Sequence, residues 1–258
     1  SGLALGESGS PRGGMGIDAG DVDGDGLPEV VVANFALEMS ALYRHLGVGP
    51  NGPLFADEAA QTGVGVPTLL QLAFGGLLVD LEGDGDLDLV LANGHIEPDI
   101  ERLRRGQRYA QPTQVFRNEG GGSFVPLEPA PGEELVARSL VEGDFDRDGD
   151  PDLLITQNGR SARLLENRSQ GGRWLRLELV LAGGSVSPLG AKVAAEFGGK
   201  RVVRELMGGR SYLGASEPIL SLGVGQAERA ETWLGLEAGK SYRLVEGEQP
   251  AAGASASR

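Results

Sequence analysis

Three nine-residue stretches repeat one arrangement of acid and glycine: Asp21-Val22-Asp23-Gly24-Asp25-Gly26-Leu27-Pro28-Glu29, Asp80-Leu81-Glu82-Gly83-Asp84-Gly85-Asp86-Leu87-Asp88 and Asp144-Phe145-Asp146-Arg147-Asp148-Gly149-Asp150-Pro151-Asp152. Each carries carboxylates at loop positions 1, 3, 5 and 9 and glycine at position 6. Ca²⁺ takes roughly six to eight oxygen ligands at about 2.3–2.6 Å, and alternate residues turn inward together when the chain bends sharply at a glycine. Position 7 (Leu27, Asp86, Asp150) supplies a backbone carbonyl. Pro28 and Pro151 follow it in two loops and hold the preceding residue extended. The pattern predicts up to three bound Ca²⁺ ions, with Asp21, Asp23, Asp25, Leu27 and Glu29 as ligands in the first loop. Asp80, Glu82, Asp84, Asp86 and Asp88 serve the second, and Asp144, Asp146, Asp148, Asp150 and Asp152 the third. Without a cation, such crowding of carboxylates is strongly repulsive.

A helix-flanked calcium hand is the first rival, and position 12 decides against it. That motif needs a bidentate glutamate there, whereas position 12 falls on Val32, Leu91 and Ile155. These residues lie in the apolar runs Val30-Val31-Val32-Ala33-Asn34, Leu89-Val90-Leu91-Ala92-Asn93 and Leu153-Leu154-Ile155-Thr156-Gln157, which read as buried strands. Position 9 is expected to close each loop just before its strand.

The loops also measure a repeat, 59 residues from Asp21 to Asp80 and 64 from Asp80 to Asp144. Periods of this size mark units that bury their faces only against neighbours. A second apolar segment follows each strand: Ala41-Leu42-Tyr43-Arg44-His45, Gln114-Val115-Phe116-Arg117-Asn118 and Ala162-Arg163-Leu164-Leu165-Glu166-Asn167. Phe124 comes after a Gly120-Gly121-Gly122 turn, as an outer hairpin requires. About sixty residues with four short strands suit a β-propeller blade.

The acidic loops followed by strands resemble FG-GAP (VCBS) repeats, the blades of integrin-α-type propellers, and Phe74-Gly75-Gly76-Leu77-Leu78-Val79-Asp80 is similar to that family's Phe-Gly lead-in. Beyond residue 170 the pattern changes. Trp174-Leu175-Arg176-Leu177-Glu178-Leu179, Leu189-Gly190-Ala191-Lys192-Val193, Gly209-Arg210-Ser211-Tyr212-Leu213, Ser216-Glu217 and Leu222-Gly223-Val224-Gly225 follow the order of an ASPIC/UnbV domain. The chain thus resembles the C-terminal part of the cartilage acidic protein family and its bacterial relatives. Glu82, where the repeat usually has aspartate, loosens or reshapes the middle site; Glu29 is a milder departure. Gly214-Ala215 and Trp233-Leu234-Gly235 depart from the second module's usual text and warn against carrying over a surface function.

The expected fold is all-β: propeller-type blades over 1–169, a small ASPIC/UnbV-like β domain over 170–246 and a disordered tail over 247–258. A closed propeller needs about four to eight blades, and three loops are visible. The chain is a fragment of a larger propeller, pairs with another copy, or covers its open edges with the terminal domain; the first is preferred. Forty-three glycines and few aromatics fit many tight turns. The net charge of −14 is mostly the loops, and three Ca²⁺ ions bring it to about −8. Nothing here would neutralise a run of phosphates, which excludes nucleic acid as a partner.

No cysteine is present, so calcium is expected to take the stapling role, which requires a calcium-rich compartment. No leader or transmembrane segment is visible, but the chain opens mid-pattern at Ser1-Gly2-Leu3-Ala4, which leaves room for a leader upstream; an extracellular, periplasmic or cell-surface location is expected. Catalysis finds little support. The two histidines, His45 and His95, lie in different repeats, and His95 follows Asn93-Gly94, where a turn-capping role is expected. Gly209 to Gly214 has one residue too many for a nucleophile elbow, and Gly47 to Gly52 fits a dinucleotide pattern by letters only. The insertion over 96–113, with Arg102, Arg104, Arg105, Arg108 and Tyr109, reads as a solvated cover with a short helix within 97–105, or else as a basic patch for an anionic glycan or protein loop. The leading expectation is a non-catalytic, calcium-dependent binding or adhesion module for a protein or glycan ligand. Its alternatives are the propeller part of a polysaccharide-acting enzyme and an accessory structural protein of a biosynthetic cluster.

Overall fold

The computed structural model describes residues 2–3, 5–6, 9–128, 130–181, 189–227, 231–235 and 242–246; the predicted tail lies outside them. Each acidic loop joins two antiparallel strands of one sheet. The first sheet runs β1 (Gly14–Gly20), β2 (Glu29–Asn34), β3 (Ala41–Gly49), β4 (Gly52–Asp57) in spatial order. After a single helical turn, α1 (Gly65–Thr68), the second repeats that order with β5 (Ala73–Val79), β6 (Asp88–Asn93), β7 (Gln114–Asn118) and β8 (Phe124–Pro126). The third holds β9 (Ala137–Gly143), β10 (Asp152–Gln157) and β11 (Arg160–Leu165). One register recurs: Gly20 pairs with Glu29, Val79 with Asp88 and Gly143 with Asp152. Position 9 is therefore the first residue of its strand, one residue earlier than the apolar runs suggest.

Strand alternation distributes the core. In β6, Leu89 and Leu91 pack toward the first sheet with Val31, Ala33 and Leu42, while Val90 and Ala92 pack toward the third with Leu140, Leu153 and Ile155. The middle sheet is buried on both faces, and β5 and β6 are buried along their whole length. These are propeller-type blades; among the described residues they stand side by side without closing a ring.

The C-terminal strands β12 (Arg173–Leu181), β13 (Lys192–Phe197), β14 (Lys200–Glu205), β15 (Ile219–Gly225), β16 (Glu231–Gly235) and β17 (Tyr242–Glu246) form two three-stranded sheets, ordered β15-β12-β17 and β14-β13-β16. A separate core joins them, with Leu177, Val193, Ala195, Val202 and Leu222. The segment between β14 and β15 enters the cleft where the edge strands β1, β5 and β9 meet. Ser211 exchanges backbone hydrogen bonds with Ile17, and the Glu142 amide donates to Ser216 Oγ. Arg210 donates to the Leu78 carbonyl and pairs with Asp18 and Glu142. Tyr212 meets Phe74 edge-on at 5.0 Å. This segment thus touches the inner strands of all three blades.

Two smaller readings are refined. Gly47 to Gly52 is the tip of the β3–β4 hairpin, where Gly49 pairs with Gly52. The insertion's helix is a single turn, α2 (Ile100–Leu103), with Arg102, Arg104, Arg105 and Arg108 exposed.

Candidate metal centre

Asp21 anchors the first loop from inside. Its Oδ1 accepts from the Gly24 amide at 2.8 Å and its Oδ2 from the Gly26 amide at 3.0 Å. Asp80 does the same with Gly83 and Gly85 at 2.7 and 2.8 Å. Asp23 and Asp146 accept from the amides two residues on, and so do Asp25, Asp84 and Asp148, which winds each loop tightly. Gly26, Gly85 and Gly149 take φ of 87°, 94° and 100°, the bend expected at position 6. Position 4 is left-handed too, at Gly24, Gly83 and Arg147. Arginine is strained there, and its presence hides the rule in the sequence.

Position 9 ties the loop to the sheet. Glu29 accepts from the amides of Val22 and His45, Asp88 from Leu81 and Asn118, and Asp152 from Phe145 and Asn167. Two of those partners reach further. Asn118 Nδ2 donates to the Val22 carbonyl at 2.8 Å and Asn167 Nδ2 to the Leu81 carbonyl at 2.8 Å. Each asparagine thus pins its own blade to the acidic loop of the preceding one. Sequence reasoning gave neither a role, although both close a quoted apolar segment.

Ligand-capable oxygens converge in two loops. Those of Asp21, Asp23 and Glu29 lie within 4.8 Å of one another, and so do those of Asp144, Asp146 and Asp152. The chemistry suits Ca²⁺: three carboxylates gathered on one point, with Asp25 or Asp148 and the Leu27 or Asp150 carbonyl in the same turn. Buried Asp144 Oδ1 and Asp150 Oδ1 have no hydrogen-bond partner. Asp23 Oδ2 lies 2.6 Å from Arg44 Nη2 without hydrogen-bond alignment. Burial pushes Glu29 up to about 7 and raises Asp21 and Asp150, as expected for acids gathered without a counter-ion. These two loops fit a bound calcium ion.

The middle loop fits less well. Among the described residues it presents no such convergent trio. Burial, with the neighbouring Glu82 carboxyl, raises the Asp88 carboxyl. Asp80 is pushed up to about 6 by burial, against the pull of Arg204.

The remaining candidates are structural. His95 is buried; its Nδ1 accepts from the Glu97 amide at 3.0 Å, and its ring meets Phe35 edge-on. His45 packs on Phe55 and caps Gly47. A cavity of about 310 Å³ lies between the loops and the C-terminal sheets, bordered by Asp21, Asp80, Glu142, Arg204, Arg210 and Leu206.

Fold and loops together define a propeller-type repeat protein carrying a β-sandwich module. Residues 80–155 match the FG-GAP-like repeat family and residues 183–234 match ASPIC and UnbV, which supports FG-GAP repeats followed by a C-terminal UnbV domain. No curated protein matches it.

Proposed function

We propose that the chain is a calcium-stapled, non-catalytic binding module that works outside the cytosol, with the propeller region over 1–169 and the UnbV module over 170–246 as its working parts. The convergence of Asp21, Asp23 and Glu29, repeated by Asp144, Asp146 and Asp152, carries this reading. Ca²⁺ at these points would replace repulsion by coordination and hold the β1–β2 and β9–β10 connections rigid. The FG-GAP match supports an extracellular or cell-surface setting, where such repeats are typical. None of the described helices is long and apolar enough to cross a membrane.

The exposed arginines of the insertion, Arg102, Arg104 and Arg105, are the most concentrated positive charge on an acidic chain and suit an anionic glycan. Retention on immobilised sulfated and uronate-rich polysaccharides, with Ca²⁺ and with chelator, tests the reading. Calcium-dependent retention that leaves the polysaccharide intact, and falls when all three arginines become glutamine, is expected. No retention on any of them would count against glycan binding. Release of shortened products would favour the alternative, part of a polysaccharide-acting enzyme.

A further inference from the structure

We propose that the middle acidic loop, residues 80–88, is the docking post of the C-terminal module and takes no calcium ion. The inference rests on the calcium reading for the other two loops and departs from it here.

The backbone of this loop is split by direction. Its amides point inward, with Gly83, Asp84 and Gly85 donating to the Asp80 carboxylate. Its carbonyls point outward, and six in succession are taken by donors that follow the blades in sequence. Trp174 Nε1 donates to Asp80 O at 3.2 Å and Asn167 Nδ2 to Leu81 O at 2.8 Å. The amides of Gly172 and Gly225 donate to Glu82 O and Gly83 O, both at 2.7 Å. Lys200 Nζ donates to Asp84 O at 3.0 Å and Arg204 Nη2 to Gly85 O at 3.0 Å. Only Asn167 repeats an ordinary contact between blades, the one Asn118 makes to the first loop; the other five belong to the module and its connector.

Charge follows the same division. Lys200 Nζ sits 2.7 Å from Asp86 Oδ2, and buried Arg204 is held in the field of Asp80, of Asp21 in the first loop and, more weakly, of Asp86. Each of the other loops also meets one cation of the chain, Arg44 on Asp23 and Arg176 on Asp144; the middle loop meets two, and its carboxylates form no converging trio. The covered loop is thus the one that does not converge.

Steric fit explains why the module selects this loop. A Cβ on Gly83 would stand 2.9 Å from the Trp174 ring, and one on Gly85 would stand 2.7 Å from Phe197 Cζ. The third loop has Arg147 at the position of Gly83, so its side chain would enter the space that Trp174 needs. The first loop has both glycines, but its own Arg44 holds Asp23. What the module recognises is a glycine-relieved crown of carbonyls together with the Asp86 carboxylate that Lys200 meets.

Two measurements on the whole chain test this. Equilibrium dialysis should count two Ca²⁺ ions, and still two after Glu82→Gln, whereas Asp146→Asn should lose one. Three ions, or the loss of one in E82Q, would overturn the inference; no ions at all would overturn the calcium reading itself. The second measurement stands apart from calcium. A Trp174→Phe/Lys200→Gln variant should be cut by protease in the connector at residues 166–172 at least about tenfold faster than the parent, in calcium and in chelator alike. Cleavage at the parental rate would overturn the docking role. Should that variant not fold, K200Q alone should show acceleration in the same direction, and none would count against the post.

Discussion

At the scale of single residues, the loops are held by groups that the acidic pattern does not advertise. Asn118 is buried and donates to the carbonyls of Val22 and Leu87 while its Oδ1 accepts from Gly120. Its replacement by alanine strands three backbone groups, so N118A is expected to lose about 1–3 kcal/mol in denaturant unfolding. N167A should lose less, because the Asn167 side chain donates to one backbone carbonyl, Leu81 O, and its other bonds, accepted from Ser169, are exposed. The carboxyls set a pH dependence with a defined sign. Glu29 rises from its ordinary 4.5 to about 7 because it is buried. A carboxyl raised on folding stabilises while protonated, and that contribution disappears as pH climbs from the unfolded to the folded value. In chelator, the chain should therefore melt at a higher temperature at pH 5.5 than at pH 8. With saturating Ca²⁺ the order should reverse, because protons then compete with the ion. Melting curves at both pH values, with and without Ca²⁺, check both halves.

At the scale of elements, the apolar runs predicted strands after each loop but not how differently those strands are buried. The run Leu89-Val90-Leu91-Ala92 is buried on both faces because blades flank it on either side. In β10, Leu153 and Ile155 face the core, while Leu154 is only half-buried. Leu91→Ala should accordingly cost about 2–5 kcal/mol, and Leu154→Ala no more than about 1 kcal/mol; paired denaturation curves decide. The acidic loops, their strands and the third strand of each blade were legible because carboxylate spacing and strand period are local signals. The left-handed fourth position was half-legible, written by Gly24 and Gly83 and obscured by Arg147. The covering of the middle loop was illegible. Its donors, Trp174, Lys200 and Arg204, lie far along the chain, and no local pattern records which distant surface a cation will meet. Glu82, the one visible irregularity, falls in that same loop.

At the scale of the whole molecule, the two domains share one largely buried ionic cluster. Arg210 pairs with Asp18 of the first blade and Glu142 of the third, and donates to Leu78 O of the second. Removing it leaves buried Asp18 and part-buried Glu142 without their cation, so Arg210→Ala should cost about 3 kcal/mol and separate blade unfolding from that of the C-terminal module. A single cooperative transition in that variant would contradict the shared cluster. The central claim remains that calcium holds the propeller loops, and calorimetry tests it most directly. The chain should be melted with excess Ca²⁺ and again after chelation, with bound ions counted beside each scan. Each occupied site adds about 2.7 kcal/mol when free calcium exceeds its dissociation constant a hundredfold. Two sites should therefore raise the melting temperature by roughly 10 °C or more in a chain of this size, with two ions per chain lost on chelation. Superimposable melts with no bound ion would reduce the acidic loops to turns and contradict the account.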